Sequence, residues 1–244
     1  MKYYCLGIPG MNLTKLKMNL IKFKSKEILE DKLVADTVSI IQKLQKNQNS
    51  LFLLFSGGST PKIFLQKLSN TAINWTNITI SLADERLVDS KSEYSNGKFL
   101  FENLINRIKS DKPKFLPLVQ DPKNEINNLL LLNQESLFSK KPDIIFLGMG
   151  NDGHFASLFP NDNNSEIGLN TNYNEILLNT NAPVHPEKRV SFSLNHIIKS
   201  THLFLFCTGE EKLNIITNTT PKEELPIYNL LESRKNAISV YWAP

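Results

Sequence analysis

Cysteine is nearly absent. Cys5 and Cys207 are the only two in 244 residues, and their spacing offers neither a disulfide framework nor a paired-thiol metal or redox motif. Cys207 falls in an apolar run and reads as a buried thiol. No apolar stretch is long enough to span a bilayer. The N-terminus lacks an apolar signal region followed by a small-residue cleavage site. A reducing cytoplasm is the simplest location, and no membrane partner is expected. Strong charge of one sign is also missing, since the formal net charge is +4. Lysines crowd the first 32 residues (Lys15, Lys17, Lys22, Lys24, Lys26 and Lys32). They come without the aromatic or groove-reading elements of a nucleic-acid footprint, so they read as solvated surface with no nucleic-acid partner. No His, Cys or carboxylate positions show metal-ligand spacing. There is no repeat of fixed period and no linker biased enough to divide the chain.

What remains is an ordinary globular composition: 41% hydrophobic and 21% charged residues, in a chain long enough for one large α/β domain. Residues 18–23 alternate apolar side chains as a strand does. Ser25 caps a helix with Ile28, Leu29, Leu33, Val34, Val38, Ile41 and Leu44 on one face. Leu51–Phe55 is wholly apolar, as a central parallel strand is. Further strands are expected at 75–82, 115–118, 143–147, 176–178, 189–193, 203–207 and 237–241. Further helices are expected from Lys62 and at 93–108, 123–138, 209–217 and 225–231. Residues 161–174, rich in Asn, Asp and Thr, read as a surface loop. Alternating strands and helices imply a mostly parallel sheet covered on both faces. Residues 3–8 can form a strand that Pro9-Gly10 ends. Residues 1–17 are either an extension or a product of a start codon upstream of Met18, which leaves 18–244 as the domain.

Glycine is scarce and concentrated. Of ten glycines, five lie in two loops, Gly57 and Gly58, then Gly148, Gly150 and Gly153, both placed directly after apolar strands. Ser56 to Thr60 offers backbone N–H groups and three hydroxyls at a helix start, with Pro61 at the first turn. That suits an anion such as phosphate, or is simply a tight strand-to-helix turn. It is neither a nucleotide P-loop nor a dinucleotide fingerprint. The second loop carries Asp152 and His154, a candidate base and its orienting carboxylate. His185, His196 and His202 have no such setting. Asp84-Glu85-Arg86 ends a strand, and Arg86 can fork onto a carboxylate or phosphate or form a surface ion pair. Arg189 and Lys212 add two cations. Lys212 sits at a helix start, against the dipole, unless an anion faces it. Ser157 is not in a nucleophile elbow.

Taken in order, Ser56–Pro61, Ala83–Arg86 with Ser95-Asn96, Leu147–Pro160, Arg189–Leu194 and Gly209–Lys212 resemble the 6-phosphogluconolactonases. The resemblance runs from about Met18 to the C-terminus. The block Gly-Met-Gly-x-Asp-Gly-His-x-Ala-Ser-Leu-Phe-Pro is its most specific part. One departure is visible: the family usually has Thr after the histidine, where this chain has Phe155. The resemblance implies a doubly wound three-layer αβα fold shared with glucosamine-6-phosphate deaminases and ribose-5-phosphate isomerases. It also implies hydrolysis of 6-phospho-D-glucono-1,5-lactone in the oxidative pentose phosphate pathway, without metal or organic cofactor.

On that basis His154 is expected to activate water, with Asp152 orienting it. Backbone N–H groups of the glycine loops, including Gly57 and Gly58, stabilise the oxyanion together with Arg86. Ser59, Thr60, Arg189 and Lys212 are the expected phosphate ligands. Lys212 ranks above Arg189, because family members hold a cation at its position. Asp84 bonds sugar hydroxyls or orients Arg86. Two alternatives use the same residues. A glucosamine-6-phosphate deaminase or aldose–ketose isomerase would take Asp84 as its base, although deaminases usually carry an acidic residue where this chain has Ala-Ser-Leu-Phe-Pro. A non-catalytic sugar-phosphate sensor would keep the anion loop and have no use for the Asp152–His154 pair.

Overall fold

Seven parallel strands form the centre of the protein. They are β1 (Met18–Lys22), β2 (Leu51–Phe55), β3 (Ile78–Leu82), β5 (Lys114–Phe115), β6 (Ile144–Leu147), β9 (His202–Thr208) and β10 (Ile238–Ala243). Their order across the sheet is β1-β10-β9-β6-β2-β3-β5. Every residue of β2 and β6 is buried, which is why those segments read as unbroken apolar runs rather than alternating ones. The computed structural model describes residues 18–218 and 225–244. The expected strand at 3–8, Cys5 and the status of residues 1–17 lie outside them.

The strand order reverses between β2 and β6. From β2 the chain moves outward to β3 and β5, and from β6 it moves the other way through β9 and β10, with β1 beyond them. Loops leaving the carboxyl ends of two strands that diverge in this way part from each other and leave a crevice. The glycine loops are those two loops. Below them Phe55 stacks on Phe146 at 4.7 Å, and Phe146 stacks on Phe204 at 5.3 Å, so the crevice stands on a rigid aromatic floor.

A second sheet was not foreseen. β4 (Asp84–Arg86), β7 (Leu177–Asn181) and β8 (Lys188–Phe192) form an antiparallel three-stranded sheet in the order β4-β8-β7. The segments expected at 176–178 and 189–193 belong here and not to the large sheet. Phe192 N–H reaches back to the carbonyl of Ala83 at 3.1 Å, which ties the small sheet to the end of β3.

Helices flank the large sheet. α1 (Lys26–Gln45) is capped by Ser25, whose hydroxyl accepts from Ile28 N–H, and it buries Leu29, Leu33 and Ile41; Ile28 itself faces solvent. α2 (Lys62–Ser69) follows the first glycine loop. α3 is shorter than expected, Asn96–Asn103, because the Ser95 hydroxyl caps it at Lys98 N–H. α4 (Glu125–Asn133) starts at the Asn124 cap and gives way to a separate 3-10 turn at Ser136–Ser139. Only Ile78–Leu82 of the strand expected at 75–82 is extended, and β5 is confined to two residues. The expected loop at 161–174 holds α5 (Asn163–Leu169), capped by Asp162. α6 (Leu194–Ile197), α7 (Glu210–Thr217) and α8 (Pro226–Ser233) complete the described chain.

Candidate active site

The crevice is a cleft of about 320 Å³. The loop after β2 forms one wall. Ser56 N–H donates to the Phe146 carbonyl at 2.9 Å, so this loop is anchored on the neighbouring strand. Gly57 is required by close approach: a Cβ there would stand 1.9 Å from Asn96 Oδ1. α2 then points its N-terminus at the cleft with no acidic residue in its first turn, which leaves the positive end of the dipole for a ligand. The Ser56 hydroxyl is buried without a partner.

The loop after β6 forms the opposite wall. His154 Nδ1 lies 2.6 Å from Asp152 Oδ1, and this pairing leaves Nε2 as the imidazole atom for chemistry. Burial alone would raise the Asp152 carboxyl; the hydrogen bonds from His154 outweigh it and hold the group below its ordinary value. Gly150 supplies the space, since a Cβ there would fall 2.3 Å from the imidazole and 2.4 Å from Asp152 Oδ1. Gly150 N–H donates to the His154 carbonyl at 2.9 Å, and the Gly153 carbonyl accepts from Ile227 N–H of α8 at 3.0 Å. Asn151 donates to Glu211 of α7 at 2.7 Å. The loop is therefore held at both shoulders. Ala156, which lines the cleft, has φ +48, a strained backbone for a side-chain-bearing residue.

The small sheet supplies the third wall. Arg86 and Arg189 are direct partners in the β4–β8 ladder, so their Cα atoms stand about 4.5–5.5 Å apart. Burial pushes the Arg189 guanidinium down to about 10; Arg86 beside it adds to this, and Asp84 and Glu85 oppose it. Arg189 Nε donates to the Pro186 carbonyl at 2.8 Å, Arg86 Nη1 donates to the Tyr94 carbonyl, and Arg86 Nε has no partner. Two neighbouring guanidiniums with spare donors are suited to an anion. Asp84 is buried and accepts from the Ser157 hydroxyl at 2.6 Å. Ser157 is itself tied to the sheet by Thr180 at 2.7 Å.

Gly57, Gly58, Ser59, Thr60, Asp84, Arg86, His154, Arg189 and Lys212 all line this one cleft, and Asp152 backs it through His154. Three residues at the site escaped the reading of side chains. Asn96, quoted only within a motif, wedges between Gly57 and β4. Ser157 holds Asp84. Phe159 packs on the imidazole at 4.6 Å between ring centres and lies under the Arg189 guanidinium at 5.9 Å. Phe155, the departure from the family pattern, is fully buried in the core and does not line the cleft. Among the described residues no group of three or more His, Cys, Asp or Glu is placed to hold a metal ion, and no helix is long and apolar enough to cross a membrane.

Residues 24–242 match the family described as glucosamine-6-phosphate isomerases/6-phosphogluconolactonase. The chain belongs to that family. A 6-phosphogluconolactonase of Neisseria meningitidis is 32% identical over 215 residues, covering 86% of this chain and 93% of the relative. One from Helicobacter pylori is 33% identical over 229 residues, covering 92% and 97%. The crystal structure of a 6-phosphogluconolactonase from Shewanella baltica superposes with a TM-score of 0.84 at 31% identity, over 92% of this chain and 97% of that one. The family fold is thus the one built here around the β2/β6 crevice.

Proposed function

We propose that the protein is a 6-phosphogluconolactonase, converting 6-phospho-D-glucono-1,5-lactone and water to 6-phospho-D-gluconate. The observation that carries this reading is the Asp152-held imidazole in the same cleft as three cations, Arg86, Arg189 and Lys212. Lactonase relatives that match most of the chain support it.

His154 Nε2 takes a proton from water as the water oxygen bonds to the lactone carbonyl carbon. Charge moves to the carbonyl oxygen, where N–H groups of the glycine loops and the Arg86 guanidinium stabilise it. The tetrahedral centre collapses, the bond to the ring oxygen breaks, and the imidazolium returns its proton to that oxygen. The product carboxylic acid then ionises. Asp152 favours the imidazolium and fixes the ring. Ser59, Thr60, Lys212 and Arg189 bind the phosphate. In a 1,5-lactone the carbonyl carbon and C5 flank one ring oxygen, so the carbonyl and the 6-phosphate lie at the same end of the molecule. Adjacent guanidiniums suit that arrangement, one for each group. Asp84, fixed by Ser157, accepts from sugar hydroxyls. The catalytic unit is residues 18–244, and the buried thiol of Cys207 fits a cytoplasmic setting.

The test is acid release from freshly made lactone, with spontaneous hydrolysis subtracted. Turnover above background supports the reading; a rate equal to background removes it. The Asp84 carboxylate in the cleft favours a second reading, proton abstraction next to a sugar carbonyl. Ammonia released from glucosamine 6-phosphate would establish that activity instead.

A further inference from the structure

Glu85 lies between two cleft residues and faces away from both. Asp84 and Arg86 line the cleft, whereas Glu85 turns to the other side of β4 and is 4% exposed. Four donors converge on its carboxylate. Arg86 N–H and Asn96 N–H reach Oε1 at 2.7 and 2.8 Å, and Gly97 N–H and the Ser95 hydroxyl reach Oε2 at 2.7 and 3.0 Å. Three of these donors come from the first turn of α3 and its cap. A carboxylate with two acceptor oxygens fits this set, and a carboxamide does not: its NH₂ would meet N–H groups. Burial pushes the Glu85 carboxyl above its ordinary value and outweighs the downward pull of the same four donors.

What the carboxylate holds is Asn96. This side chain is buried, donates to the Asp84 carbonyl at 3.0 Å, and presses on Gly57 closely enough that no Cβ fits there. Asn96 is thus the spacer between the glycine loop after β2 and the strand carrying Asp84 and Arg86. Farther along α3, Gln66 of α2 donates to Asn103 Oδ1 at 2.8 Å, but it is Asn96 that stands directly between Gly57 and the Asp84 carbonyl.

We infer that Glu85 is a positioning residue of the cleft, setting through Asn96 the distance between the Gly57–Thr60 loop and the Asp84/Arg86 strand. Glu85 touches no substrate. Its effect on turnover rests on the lactonase reading above; its effect on the cleft does not.

The experiment is a double-mutant cycle on kcat/KM with Glu85→Gln, Asn96→Ala and the pair. Glu85→Gln is expected to lower kcat/KM roughly ten- to a hundredfold, since a small misplacement of a site wall has such effects. In the Asn96→Ala background the same change should cost less than about twofold, because coupled residues are not additive. With Lys212→Ala, on α7, the losses should multiply. A Glu85→Gln enzyme within twofold of wild type overturns the inference, and so does a loss that multiplies in full with Asn96→Ala. Should Glu85→Gln fail to fold, Glu85→Asp keeps a carboxylate but withdraws it from the first turn of α3, and it enters the same cycle with the same two outcomes. The cycle is also read as the dissociation constant for 6-phosphogluconate by calorimetry. Coupling there without wild-type turnover would sink the lactonase reading and leave the role of Glu85 standing; additive losses would sink that role whatever the turnover.

Discussion

The imidazole of His154 occupies the space a side chain at position 150 would need. A Cβ on Gly150 would lie 2.3 Å from the ring and 2.4 Å from the Asp152 oxygen, and these two groups are paired at 2.6 Å, so an added methyl must displace the pair. Gly150→Ala is therefore expected to fold and to lose at least about tenfold in kcat, as a displaced base loses its alignment with water. Kinetics on a variant with unchanged circular dichroism check this; kcat near wild type would show that the loop yields. Phe159 acts at the same scale, as its ring contacts both the His154 imidazole and the Arg189 guanidinium. The loop motif made His154, Asp152 and Gly150 legible in the sequence, because glycines and titratable groups stood within a few residues. Phe159 stood in the same motif without a role; its contact with His154 is local, whereas its contact with Arg189 joins segments that only folding brings together.

Among the elements, α6 carries a buried titratable group that takes no part in the chemistry. His196 is 4% exposed, stacks on Phe192 at 5.1 Å and has an unpartnered Nε2. Burial, helped by Lys199 and opposed by a hydrogen bond to the Lys140 backbone, pushes it from 6.5 down to about 4. The unfolded chain takes up this proton below its ordinary pKa, and the folded chain does not until about pH 4. Stability is thus lost as pH falls from about 6.5 to about 4, by up to roughly 3 kcal/mol. Urea melts across that range should show the slope in wild type and a flatter one in His196→Phe; equal slopes would refute it. The elements differ in how readable they were. β2, β6 and β9 are apolar runs buried on both faces, and their sequences say so. The small sheet is not readable that way: Asp84-Glu85-Arg86 has no apolar period, and its pairing with β8 joins residues about a hundred positions apart. α5 hid in an Asn-rich stretch because it is a short helix whose start rests on one cap, Asp162, which accepts from Ser165 N–H, the Ser165 hydroxyl and Asn181.

At the scale of the molecule, the crevice at the strand reversal gathers positive charge from separate elements: Arg86 and Arg189 from the small sheet, Lys212 from α7, and the positive end of α2. A phosphorylated lactone is drawn in by that field. Raising ionic strength from about 0.01 to about 1 M shortens the screening length from about 30 to about 3 Å. kcat/KM is expected to fall several-fold over that range with kcat little changed, and a salt-independent kcat/KM would remove the cations from substrate capture. The position of the cleft was legible from the two glycine loops at strand ends, and its residues from the family motifs. The wedge of Asn96 and the carboxylate behind it were not, because their partners become neighbours only when α3 docks on β4.

The most direct test of the account is the rate of lactone hydrolysis by His154→Ala beside wild type, both folded and with spontaneous hydrolysis subtracted. The account predicts wild-type turnover above background and a loss on the order of a hundredfold or more in the variant. A variant that keeps the wild-type rate would contradict it and take the imidazole out of the reaction.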